Sequence, residues 1–198
     1  MLLPFIMVLC LSQSVSAKQV TQTLPEIAIA KAKSYIGIKE TSYNSSPQID
    51  TFIKDGGGHP GWPWCMYLVR YCFNYASKIL NVVCPLKRTG SVCDQLQYCV
   101  NSSRVKVFFV NDYSHLKVLP GDIMIMRNGY GFDEKKDLKR NWNGHTGINE
   151  KQISDRIIQT IEGNTNAVGG REGNCVARKT RDLHSRNKLH PVAIMRVL

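Results

Sequence analysis

Cys65-Met-Tyr-Leu-Val-Arg-Tyr-Cys-Phe-Asn-Tyr-Ala-Ser-Lys-Ile-Leu80 follows directly on the glycine- and proline-rich Asp55-Gly-Gly-Gly-His-Pro-Gly-Trp-Pro-Trp64. Cys65, Val69, Cys72, Ala76 and Ile79 recur at helical spacing, which predicts a helix over 65–80 with these five on one buried stripe. A cysteine in the first turn of a buried helix stands at the positive end of the helix dipole. That position favours thiolate, the nucleophilic form of the side chain. The rest of the chain is therefore searched for a base, a group to orient that base, and a cleft.

Working outward toward the N-terminus, Pro25 to Ile36 reads as a helix with Pro25 near its first position and Gly37 after its end. Ile29, Ala32 and Ile36 form its clearest apolar stripe. Gly37 to Pro47 is a loop, and Gln48 to Lys54 forms a short helix with Ile49 and Phe52 or Ile53 turned inward. Met1–Ala17 has no charged side chain, an apolar run from Leu2 to Leu11 and Val15-Ser-Ala17 as a small-residue cleavage pattern. It reads as a secretory signal peptide, too short to span a bilayer. Export is the expectation. Residues 18–198 form one catalytic domain, soluble, without stable membrane insertion and acting as a monomer.

Toward the C-terminus, Ser91 caps a helix that runs to about Val100. The periodicity then changes. Val105–Val110, Ile123–Met126, His145–Ile148, Arg156–Ile161, Cys175–Lys179 and Val192–Val197 read as strands. Leu119-Pro-Gly-Asp122 is a turn. Arg127 to Asn143 is a long polar excursion, and Gly163 to Asn174 a glycine-rich loop. Helices first and strands afterwards indicate an α+β fold, with helices packed on one side of an antiparallel sheet.

The formal net charge of +11 over 198 residues favours an anionic partner. No nucleic-acid motif is present, so nucleic acid is not expected; with export, an anionic cell wall is. Of seven cysteines, Cys10 lies in the leader, and Cys65, Cys72, Cys84, Cys93, Cys99 and Cys175 remain. Helical geometry places Cys65 and Cys72 about 10 Å apart along the axis and Cys93 and Cys99 about 9 Å apart, too far to bridge. Cys84 can reach Cys93 or Cys99. Cys72, on the buried stripe, is the candidate for an inert core thiol.

Histidine suits the role of base because it titrates near neutrality. Of five histidines, His59 precedes Cys65 in a loop, His115 lies in a polar turn, and His184 and His190 lie near the C-terminus. His145 alone opens a strand, in Gly144-His-Thr-Gly-Ile148. The next strand leads into Glu162-Gly-Asn164. If the two strands pair, Glu162 or Asn164 can lie beside the His145 ring and orient it. Glu-Gly-Asn is also ordinary turn chemistry. Trp62, Trp64 and Trp142 can line a groove for glycan or peptide, or pack around the loop.

Four segments in order, Pro63-Trp-Cys65 at a helix start, Pro120-Gly-Asp122 before an apolar strand, Gly144-His-Thr-Gly147 and Glu162-Gly-Asn164, resemble the CHAP family. These are cysteine, histidine-dependent amidohydrolases/peptidases, distant relatives of papain and of the NlpC-type cell-wall peptidases. Gly37-Ile-Lys-Glu40, Asn44 and Ile49 look like the lead-in of one bacterial branch. The resemblance spans roughly residues 27–197. It implies a papain-like fold and hydrolysis of an amide in peptidoglycan, either the bond joining glycan to peptide or one within the peptides. It implies Cys65 as nucleophile, His145 as base and acid, Glu162 as orienter, and Asn164 sharing that task or polarising the site. Some relatives bind calcium through an Asp-rich loop before the cysteine. Here that loop holds only Asp55, so neither metal nor cofactor is expected. The rival expectations are a papain-like peptidase acting on a non-wall amide, and a wall-binding protein without turnover.

Overall fold

The computed structural model describes residues 22–109, 116–166 and 173–198. The expected leader Met1–Ala17, the turn holding His115 and the end of the strand at Val110 lie outside them. Four helices come first: α1 (Leu24–Lys33), α2 (Pro47–Asp55), α3 (Cys65–Ile79) and α4 (Val92–Val100). Six strands and a single-turn helix follow: β1 (Val105–Phe109), β2 (Ile123–Asn128), α5 (Glu134–Asp137), β3 (Gly144–Gln152), β4 (Ile157–Thr165), β5 (Cys175–Asp182) and β6 (Leu189–Val197).

The helix starts are chemically marked. Thr23 and Glu26 make a capping box before α1, with Pro25 in its first turn. Ser46 accepts the N–H of Ile49 at α2, and Ser91 that of Asp94 at α4. At α3 the capping residue is Trp64, and no side-chain cap closes the end.

The sheet has the order β1-β6-β2-β3-β4-β5, and every pairing is antiparallel. The fold is α+β. Helix α3 packs on α1 and α2 and lies against β3 and β4. The main core joins Val69, Cys72 and Phe73 of α3 to Ile49 and Phe52 of α2 and to Ile123, Ile125 and Ile161 of the sheet. Met124, Met126, Ile158, Leu183 and Ile194 form a second, smaller cluster. β2 is thus buried on both faces, which is why Ile123–Met126 is a continuous apolar run without alternation.

Several expectations need correcting. Cys65, Val69, Cys72 and Ala76 are buried, but Ile79 is 55% exposed, because α3 outruns the core in its last turn. Both Phe52 and Ile53 face inward. β4 continues through Thr165, so Glu162, Gly163 and Asn164 belong to a strand with a register shift between Glu162 and Thr165, and not to a turn. Asn164 takes a left-handed conformation there, with φ of 51°. The bridge that Cys84 could have made to Cys93 or Cys99 is absent; all six described cysteines are free. Cys93 Sγ donates to the Arg140 carbonyl at 3.0 Å, and Cys99 Sγ accepts from Gln95 Nε2 at 3.1 Å. Cys72 is fully buried, and that burial pushes its thiol far up.

The Pro120-Gly-Asp122 turn is a lock between strands. Asp122 is buried and takes a bidentate pair of bonds from Arg196 of β6, at 2.9 and 2.6 Å. Its second oxygen also accepts the Leu119 N–H at 2.8 Å, and Asn149 of β3 donates to the Leu119 carbonyl at 2.8 Å. Among the described residues, no helix is long and apolar enough to cross a membrane.

Candidate active site

The approach to Cys65 is fixed by the segment before it. Trp64 is buried, 0% exposed, and its indole N–H donates to Glu40 Oε1 at 2.8 Å. Glu40 Oε2 accepts the Asn44 N–H at 3.0 Å, and Asn44 Nδ2 donates to the Gly61 carbonyl at 3.2 Å. Glu40 and Asn44 therefore clamp the two ends of Gly61-Trp-Pro-Trp64. Gly163 lies under the Trp64 ring: a Cβ there would stand 2.6 Å from the indole and 2.8 Å from Leu68. Trp64 does not line the cleft, contrary to the expectation. It is the wedge that sets α3 on β4.

His145 opens β3 opposite Met126. Its Nε2 lies 2.9 Å from Glu162 Oε2 on the adjacent strand. Cys65 lies close enough to the ring for its side chain to favour the protonated imidazole. Gly147 makes the crossing possible, since a Cβ there would come within 2.5 Å of Glu162 Cγ. Cys65, His145 and Glu162 are thus brought into one chain of contacts.

Glu162 is wholly buried and fully partnered. Arg181 of β5 donates to both its oxygens, at 2.8 and 2.5 Å, and Thr160 Oγ1 donates to Oε1 at 2.6 Å. Burial alone would push this carboxyl up. The bonds and charges of Arg181 and His145 outweigh it and hold Glu162 at about 2. At His145 burial likewise opposes the charged ring. Hydrogen bonds to Cys65 and Glu162, with the negative charge of both, overcome it and raise the imidazole to about 10. The site is built to hold an imidazolium against the buried Glu162 carboxylate.

Asn164 does not touch the His145 ring by any direct hydrogen bond here. In the amide orientation that satisfies its neighbours, its oxygen accepts the Trp64 N–H at 3.2 Å and its nitrogen donates to the Gly173 carbonyl at 2.6 Å. It braces the residue before the cysteine. Trp62 is 49% exposed and, with the half-buried Trp142, lines a cavity of about 520 Å³ that reaches Cys65. Trp142 is held by its indole N–H on the Asp137 carbonyl, at 3.1 Å.

Two residues that hold the site together escaped the sequence reading, Arg181 and Glu40. Arg181 sits on an alternating charged strand with no motif around it. Glu40 carried a signal in the lead-in, though not for its bond to Trp64. Asp55, the one acid of the glycine-rich loop, is consumed by an ion pair with Arg70 and a 2.8 Å bond from Asn74. Among the described residues, no group of three or more His, Cys, Asp or Glu stands where a metal could be held.

No protein-family model matches this chain, and no curated protein matches it. Among solved structures it is similar to the crystal structure of a wild type endolysin, LysIME-EF1, at 13% identity and a TM-score of 0.44, over 84% of this chain and 61% of that one. The chain thus spans about three-fifths of that endolysin's length.

Proposed function

We propose that the protein is an exported peptidoglycan hydrolase that cleaves an amide bond through Cys65, with an acyl-enzyme intermediate. The observation that carries this reading is the contact chain His145–Glu162–Arg181 set beside Cys65, which stands at an uncapped helix start and opens on a cleft. The Cys65 thiolate attacks the scissile carbonyl while His145, protonated, stands beside it. The N–H groups of the first turn of α3, which the helix itself does not use, receive the oxyanion. His145 then gives its proton to the departing amine. Water, deprotonated by the same ring, hydrolyses the thioester. Glu162 holds the ring and its charge, and Arg181 keeps Glu162 ionised.

The resemblance to CHAP enzymes and the +11 charge favour wall polymer as substrate. The test is muropeptide analysis. Purified peptidoglycan is incubated with residues 18–198, with Cys65→Ala and with His145→Ala, and the products are weighed by mass spectrometry. New fragments are expected from the wild type alone. No fragments from folded wild type on walls of more than one chemotype would sink the wall reading and turn attention to another amide or to a binding protein.

A further inference from the structure

The groove has two chemically different halves that meet at Asn143 and Gly144, which line both. One half, about 520 Å³, reaches Cys65 but not His145, and its walls include Trp62, Tyr67 and Trp142. The other, about 400 Å³, reaches His145 but not Cys65. Asn128, Asn164, Lys179 and Arg181 line it, and no acidic side chain does so among the described residues. Arg181 is spent on Glu162, so among the described residues Lys179 is the other cation lining this half. Lys179 Nζ is steered by a bond to the Asn166 carbonyl at 2.9 Å, which uses one of its three donors.

The chemistry orients a substrate across these halves. The carbonyl carbon bonds to Cys65, so the acyl portion lies over the sulfur. The amine nitrogen receives its proton from His145, so the departing portion lies over the imidazole. Building on the hydrolase reading above, we infer that the aromatic half holds the acyl portion of the substrate, and that the amide- and lysine-lined half recognises a free carboxylate on the amine portion through Lys179. An amino sugar bearing an acyl side arm, joined to an acidic peptide, meets both demands. Its ring offers a C–H face to Trp62 and Trp142, and its peptide carries carboxylates close to the cleaved nitrogen. In wall polymer that is the amide joining glycan to stem peptide. The S–C bond forms as the C–N bond breaks, and the proton of His145 leaves on the nitrogen. Water then yields the glycan-side carboxylic acid and restores the thiol.

Two soluble substrates decide it: an N-acetylmuramoyl dipeptide with free carboxylates, and the same compound with those carboxylates as carboxamides. Wild type is expected to favour the first in kcat/KM by about tenfold or more, the scale of a charge-assisted hydrogen bond. Lys179→Gln should bring the ratio near one, and Lys179→Arg should restore it. An absent preference in wild type, or one that survives Lys179→Gln, overturns the inference and leaves the hydrolase reading standing. So does wall digestion that frees amines only on fragments lacking a nearby carboxylate. If wild type cuts neither soluble compound nor intact wall, the hydrolase reading fails and takes this inference with it.

Discussion

Glu162 joins three strands through one side chain. It fixes His145 of β3, accepts from Thr160 of its own strand, and is neutralised by Arg181 of β5. A carboxylate buried this completely is tolerable only because each oxygen is filled; stripping away a partner from a buried pair costs about 3–5 kcal/mol. The pH consequence follows from the sign of the two shifts. His145 is raised to about 10, so the imidazolium and its stabilising contacts are complete below 6.5 and are lost as pH climbs through about 10. Glu162 is lowered to about 2, so its contribution is complete above 4.5 and fades as pH falls through about 2. In Glu162→Gln the ring loses its carboxylate partner. The alkaline limb of kcat/KM should then move down by about 1–3 pH units, the usual effect of one close opposite charge. A limb that stays in place would show that Glu162 does not set the ionisation of His145.

At the scale of elements, the site depends on how closely β3, β4 and the start of α3 approach each other. Gly147 admits the Glu162 side chain, and Gly163 admits the Trp64 ring. Gly147→Ala should destabilise the fold by about 1–3 kcal/mol through overpacking. It should also remove most activity while the protein stays folded, because the added methyl displaces the orienting carboxylate. Urea unfolding and turnover, measured on one preparation, separate the two effects; full activity with unchanged stability would refute the packing argument. These approaches also mark what the sequence could tell. α3, the Ser91 cap, Pro25 in the first turn of α1 and the strand run were legible from periodicity and spacing; spacing left Glu162 or Asn164 open as the neighbour of His145, and only the resemblance assigned roles to Cys65, His145 and Glu162. Arg181 was not, since it reaches Glu162 diagonally from a strand position opposite Ile158, and that register follows from pairings no local pattern encodes. Trp64 was misread for a related reason. An aromatic beside a nucleophile looks like a groove wall until Glu40 is seen holding its N–H. The continuation of β4 through Asn164 was masked by residue types that favour turns.

At the scale of the whole molecule, an excess of 11 positive charges is independent of the catalytic contacts. Its expected part is accumulation on an anionic polymer, and that attraction is screened within about 10 Å at 0.1 M salt. Raising salt from about 50 to about 500 mM should slow digestion of intact wall several-fold while changing turnover of a small soluble muropeptide by less than about twofold. Equal slowing of both would place the salt effect in the cleft instead.

β6 is made after the other five strands, yet it sits between β1 and β2. Until residues 189–197 are available, β1 has no strand partner among the described residues, β2 has an open edge, and Asp122 lacks the guanidinium that Arg196 supplies. Chain growth at about 5–20 residues per second leaves this interval measured in seconds. Timing is thus written into the topology: an unfinished chain holds the cysteine, the histidine and the glutamate but cannot close the sheet that aligns them. A chain cut short before Leu189 leaves both edges of that gap unpaired, and only the last strand to be made can fill it.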